Sequence, residues 1–232
     1  MARRILHDTY FKQAKAEGYV ARSAFKLQQI QEAKRILKSG DRVLDLGCAP
    51  GAWIQVAGEI IGPRGRLVGI DLQPTAHVFP ALPEVVTLVG DIYKTPAEVL
   101  LEPLTRPRPE GTPSSIPVGL PTRPGAAPPP APKRDRVERF DVVLSDMAPN
   151  TTGHGDHERS VALCEQVLHM LPALLRKGGN LAMKVFEGGE YPRLLKDTAK
   201  LFESTKGYKP KASRDASVEM YIVASGFRGV VA

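Results

Sequence analysis

The stretch VLDLGCAPGAW, residues 43–53, decides the fold. An apolar run ends at Gly47, the chain turns through Cys48, Ala49, Pro50 and Gly51, and a helical pattern follows over about residues 52–61. A buried strand that turns through glycine into a helix is the opening unit of a parallel sheet, whose strands need crossover helices. The alternation then continues. RLVGIDL (66–72), VVTLVGD (85–91), FDVVLSD (140–146) and NLAMKVF (180–186) read as strands. Val161, Cys164, Val167, Leu168, Leu171, Leu174 and Leu175 recur at helical spacing, as do Leu194, Leu195, Thr198, Leu201 and Phe202. Two last strands, near 207–213 and 217–225, follow each other too closely for a crossover helix, so an antiparallel edge hairpin is expected. The reading is an α/β fold: a mostly parallel, seven-stranded sheet with helices on both faces.

Residues 103–139 interrupt this pattern. They hold 11 of the 21 prolines, include GAAPPPAPKR, and carry almost no periodic apolar residues. Such a stretch cannot offset its ordering entropy, which points to a flexible proline-rich insertion. The rest of 41–232 forms the main domain, and residues 1–40 form a basic helical arm belonging to it.

The arm concentrates the charge. Of a net +7, with a pI near 9.5, nearly all comes from Arg3, Arg4, Lys12, Lys15, Arg22, Lys26, Lys34, Arg35 and Lys38, set against Asp8, Glu17 and Glu32. With Tyr10, Phe11 and Tyr19 in the same stretch, Arg3, Arg4, Lys12, Lys15 and Arg22 suit an RNA-facing surface. At 232 residues and 42% apolar content, the chain has material for one sizeable core. No apolar run approaches the roughly 18–20 residues of a membrane span, and the start, MARRILHDTYFKQAKAEGY, lacks the apolar core of a secretory signal. Cys48 and Cys164 stand far apart without metal-binding spacing, as in a reducing cytosol, so a cytoplasmic protein is expected.

The glycine turn suits a ligand lying against the backbone at the strand's carboxyl end. Twenty residues after Gly51, Asp71 ends the next strand, placed to accept both hydroxyls of a ribose. Asp91 closes the third strand, where a carboxylate can bond an adenine amino group. A dinucleotide would want G-x-G-x-x-G, whereas G-C-A-P-G replaces one backbone donor with Pro50. A cofactor with ribose and adenine but no phosphate fits better, namely S-adenosylmethionine. Its expected contacts are Gly47, Ala49, Pro50, Gly51, the aromatic plane of Trp53, Asp71, Leu72, Asp91, Ile92 and Asp146.

NLAMKVF sets Lys184 in the middle of an apolar strand, where a charged amine is costly. Asp146 ends the preceding strand, on the same rim. Lys26 shares a helical side with Ile30, Ala33 and Leu37, and Glu219 alternates onto the face of Tyr221 and Val223. Ionisable groups at such expensive positions mark tuned chemistry. His154, Asp156 and His157 in TGHGDHE read as a polar loop, and no metal is expected.

The stretches YFKQAKAEGYVARSAFKL, VLDLGCAPGAW, VLSDMAPNTTG, GGNLAMKVFEG and KPKASRDASVEMYIVASG resemble the FtsJ/RlmE (RrmJ)-type family of RNA ribose 2′-O-methyltransferases. The resemblance covers nearly everything except 103–139, and Cys48 stands where a second alanine is commoner. It implies a Rossmann-like class I methyltransferase fold that uses S-adenosylmethionine. It also implies a catalytic tetrad falling on Lys26, Asp146, Lys184 and Glu219, with Lys184 as the base. An amine at its free pKa of about 10.4 is protonated at neutral pH. Burial and the like charge of Lys26 favour the neutral base, whereas Asp146 and Glu219 favour the ammonium. A base and a steering cation are both compatible with the sequence.

The implied target is a uridine of large-subunit ribosomal RNA, within the assembled large subunit, modified by a monomeric enzyme with no membrane attachment. A tRNA anticodon loop or mitochondrial ribosomal RNA are the alternative targets, and a non-catalytic ribosome-assembly factor is the alternative class. The insertion is expected to leave the tetrad untouched while able to alter the RNA footprint.

Overall fold

The computed structural model describes residues 2–75, 84–106, 138–149, 155–213 and 217–229, with side chains from Thr9 onward. In chain order the elements are α1 (Ala2–Ala16), α2 (Ala24–Lys34), β1 (Arg42–Leu46), α3 (Ala52–Ile61), β2 (Arg66–Asp71), β3 (Val85–Val89), α4 (Ala97–Thr105), β4 (Phe140–Ser145), α5 (Asp156–Leu174), β5 (Leu175–Phe186), α6 (Tyr191–Leu201), β6 (Phe202–Tyr208) and β7 (Glu219–Phe227). The seven strands make one sheet, ordered β3-β2-β1-β4-β5-β7-β6. The first five are parallel neighbours, while β7 runs antiparallel to both β5 and β6.

Alternation along the strands builds two cores. Leu44, Leu46, Val143, Leu181, Met183 and Ile222 point to one face and pack under α4, α5 and α6. Val43, Leu67, Val142, Leu144, Ala182, Tyr221 and Val223 point to the other, under α2 and α3. β1 and β4 lie between these helical layers and are almost wholly buried, which is why they read as continuous apolar runs.

Several boundaries differ from expectation. A helix the sequence did not announce, α4, buries Leu100 and Leu104 and tolerates Pro103 in its last turn. The interruption therefore starts later than residue 103, and residues 107–137 lie outside the described residues. Leu175 begins β5 rather than ending the preceding helix, and a register shift between Phe140 and Val142 accommodates the added residues. Phe202 opens β6 rather than closing α6, its ring packing 5.3 Å from that of Phe227. The edge hairpin accordingly uses 202–208 rather than 207–213. Helix α2 ends at Lys34, with Arg35 in the left-handed conformation at φ 51°. Leu37 is thus buried beyond the helix, and Ala33 is exposed.

Candidate active site

Strand order reverses between β1 and β4, and the crevice beyond their carboxyl ends is where such sheets bind ligands. Gly47 leaves β1 at φ 77°, with Met147 packed so close that no Cβ fits there. Asp71, at the tip of β2, accepts the Ala49 amide on Oδ2 at 3.0 Å and the Gln73 amide on Oδ1 at 2.8 Å. Asp91, just past β3, accepts the Tyr93 amide on Oδ1 at 2.9 Å, and its Oδ2 lies 3.6 Å from Lys94 Nζ. Each carboxylate is thus aimed by its own loop yet keeps lone pairs for a ligand. Leu72 beside Asp71 is 70% exposed, and Ile92 beside Asp91 is buried. A turn of small residues, acids on adjacent strand tips and an open apolar surface fit the adenosyl part of S-adenosylmethionine.

Trp53 departs from the expected open plane. Its indole is 3% exposed, stacks on Tyr221 with centroids 5.7 Å apart, and donates to the Ser23 carbonyl at 3.0 Å. A large ring with one N–H gains most by being buried with a partner for that group.

The four ionisable residues come from three elements and from the loop just past β4, and they meet. Lys26 of α2 donates to Glu219 Oε2 of β7 at 2.8 Å. Lys184 of β5 donates to the Asp146 carbonyl at 2.5 Å and lies 3.0 Å from its Oδ1. Tyr221, opposite Lys184 in the β5–β7 register, donates to the same Oδ1 at 2.7 Å, and the Lys26 ammonium lies 6.0 Å from its ring centroid. Both lysines are about as buried as core residues, at 5% and 6% exposure. Burial pushes the Glu219 carboxyl up, but Lys26 and then Lys184 outweigh it and hold the group below the usual carboxylate range. Burial, reinforced by Asp146, drives the Tyr221 hydroxyl well above its ordinary value, so it remains a donor. Tyr221 therefore joins the two ion pairs, a role that sequence reasoning missed.

Asp45 was missed as well. It is fully buried in β1, and neither carboxyl oxygen has a partner. Burial, then Asp146 and Asp71, push its pKa well above the ordinary value, which favours the neutral acid. The signal was available: like Lys184, it is an ionisable residue inside an apolar strand.

The other expected residues are more dispersed. Lys12 and Lys15 are exposed on α1, and Arg22 is half-buried before α2; the side chains of Arg3 and Arg4 lie outside the described residues. Tyr10 and Tyr19 do not stand ready for bases. Their rings pack on Phe25 at 5.5 and 5.9 Å and fasten α1 to α2, leaving Phe11 as the exposed aromatic of the three. His154 lies outside the described residues, and Asp156 pairs with Arg159.

Residues 19–227 match the family described as FtsJ-like methyltransferase. The chain belongs to that family. Among FtsJ-like relatives, it is 40% identical over 225 residues to "Ribosomal RNA large subunit methyltransferase E" of Syntrophobacter fumaroxidans, covering 96% of this chain and 97% of that protein. It is 39% identical to the protein of the same name in Haloarcula marismortui, over 94% of this chain and 74% of the relative. In fold, this FtsJ-like chain is similar to a putative ribosomal RNA methyltransferase of Plasmodium falciparum, with TM-score 0.68 and 23% identity over 91% of this chain and 100% of the other. It is also similar to Aeropyrum pernix fibrillarin, solved with S-adenosyl-L-methionine, with TM-score 0.54 and 20% identity over 89% and 75% of the two chains.

Proposed function

We propose that the chain transfers a methyl group from S-adenosylmethionine to the ribose 2′-oxygen of a uridine in large-subunit ribosomal RNA. It acts as a cytoplasmic monomer on the assembled large subunit. The observation carrying this reading is the joined Lys184–Asp146–Tyr221 and Lys26–Glu219 network at the rim of the adenosyl crevice. The names borne by the full-length relatives support the choice of RNA.

When bound, S-adenosylmethionine supplies a methyl carbon activated by its sulfonium. Asp71 and Asp91 would hold its ribose and adenine, with the exposed Leu72 offering apolar surface beside them. Asp146 presents two acceptors to the Lys184 amine, its carbonyl and Oδ1. Once the ammonium has given up one proton, its two remaining hydrogens can both be spent on Asp146, leaving the lone pair for the 2′-hydroxyl proton. Tyr221 holds Asp146 from the other side. Lys26, tied to Glu219, presents its remaining N–H groups to the ribose. Catalysis then rests on placing a hydroxyl in line with the methyl carbon more than on stabilising new charge. The exposed lysines of α1 meet phosphates, so affinity for RNA falls steeply with salt.

The test offers labelled methyl donor with purified large subunits, free large-subunit RNA and tRNA. Label in the subunits is expected, in alkali-resistant dinucleotides carrying uridine. Label in tRNA alone overturns the target, and label in none overturns the activity.

A further inference from the structure

Strand β5 is paired with β7 out to Phe186, but on its other side β4 stops at Ser145, opposite Met183. Residues two apart in a strand send their backbone groups the same way. Lys184 and Phe186 therefore face a place where the sheet has run out. Helix α5 supplies partners there from one stripe, His157, Ser160 and Cys164, spaced three and four apart. Cys164 Sγ donates to the Lys184 carbonyl at 3.0 Å, and Ser160 Oγ accepts the Phe186 amide at 2.9 Å. His157 Nδ1 lies 2.7 Å from the Phe186 carbonyl, while its Nε2 lies 3.1 Å from the Glu190 amide nitrogen. An amide must donate, so Nε2 is the acceptor, and Nδ1 carries the hydrogen given to Phe186. Burial pushes the Cys164 thiol up to about 12, which keeps its S–H donor. Gly188 lies so close to the imidazole that a Cβ there would meet the ring at 2.6 Å.

We propose that His157, Ser160 and Cys164 form a positioning device for methyl transfer: they replace the missing strand beyond Ser145 and hold the tip of β5. The tip carries Lys184 and, through the Phe186–Glu219 register, sets Glu219. His157 further ties that tip to the loop 187–190 and the start of α6. The device rests on the methyl-transfer reading above, and it acts on kcat rather than on cofactor affinity. The reason is placement: Lys184 is the first residue past the β4 support, whereas Gly47, Asp71 and Asp91 sit at the ends of β1, β2 and β3.

His157→Phe keeps a planar ring and loses both hydrogen bonds; His157→Asn keeps a donor near the Nδ1 position. The Phe variant is expected to lower kcat about 10- to 100-fold, the scale of a misplacement near 1 Å. Its calorimetric affinity for S-adenosylmethionine should stay within about twofold. The Asn variant should recover most of kcat, and Ser160→Ala should give a smaller loss of the same kind should the Phe variant not fold. Amide hydrogen exchange at Glu190 should quicken in both His157 variants, with no substrate present. Unchanged kcat in the folded variants, or a loss explained by cofactor affinity alone, overturns the proposal. Failure of the unaltered chain to methylate any RNA instead overturns the functional reading, and unquickened exchange at Glu190 independently overturns the strap.

Discussion

The two edges of the sheet both hold ion pairs with buried cations, and they use different cations. At the amino edge Asp141 accepts the Arg42 amide at 2.8 Å, Arg42 Nε at 3.2 Å and Arg176 Nε at 2.5 Å. Burial pushes the Asp141 carboxyl up, but Arg176 and Arg42 outweigh it and hold it below the usual range. Arg66 bonds Glu84 at 3.0 Å and caps α4 through the Leu104 carbonyl and, at 2.7 Å, the Arg106 carbonyl. A guanidinium keeps its charge and spreads several donors in one plane, so it can only hold. At the carboxyl edge the cations are lysines, compact amines able to hold a partner and also to part with a proton. On the proposed function, ion pairs of similar depth serve cohesion at one edge and chemistry at the other. The roots of the insertion belong to the first edge. Arg106 is held by Arg66, Glu138 lies 4.0 Å from Arg42, and Arg42 and Arg66 are register partners.

Exchanging the cation types is the strongest way to break this division. Lys184→Arg should lower methyl transfer by about 10²- to 10⁴-fold, the usual contribution of a general base. Donor affinity and thermal stability should stay near those of the unaltered chain. A rate close to the original would leave Lys184 a steering cation only. The reciprocal change, Arg42→Lys, should cost about 1.5–3 kcal/mol by urea unfolding, the scale of charge-assisted hydrogen bonds. Single-turnover methyl transfer should not change, and a parallel loss of rate would show the edges to be coupled.

Asp45 sharpens the contrast because it is an acid in the sheet with no cation. Its folded pKa is raised, so between the ordinary value of 3.8 and that raised value the folded state holds a proton the unfolded chain has released. Stability therefore falls as pH rises through that window. Asp45→Asn removes the linkage. The variant should melt higher than the unaltered chain at pH 8, with the gap closing as pH falls toward 4; a constant gap would show that Asp45 does not titrate there. The smallest effect is expected from replacing 107–137 with a short glycine-serine linker. The roots contact Arg66 and Arg42, register partners on neighbouring strands, so loop closure costs little and kcat/KM should stay within about twofold. A large loss would bring the insertion to the substrate after all.

Much of this was legible in the sequence because two-sided burial makes exceptions visible. Lys184 stood out since Met183 and Val185 leave no other reason for an amine there. Asp45 occupies the same kind of place in VLDLG, but the neighbouring glycine turn drew the reading to the ligand. Phe202 was misread because α6 and β6 abut without a loop, so the helical and strand periods overlap at Leu201–Phe202. Helix α4 was hidden by Pro103 and by the proline-rich stretch that follows it. Tyr10, Tyr19 and Trp53 were expected at surfaces, since composition cannot say whether a ring will find a buried partner. Each found one, in Phe25 or Tyr221.

By itself the sequence determined the alternation of strand and helix, the adenosyl-sized turn and the identity of four ionisable residues at costly positions. Those are local properties, written in spacing and in the price of burying charge. Only the tertiary structure decided that Lys26 pairs with Glu219 across 193 positions of chain, that Tyr221 bridges the two pairs, and that α5 takes over where β4 stops. Such contacts depend on strand order and on where each strand ends, and neither leaves a periodic trace along the chain.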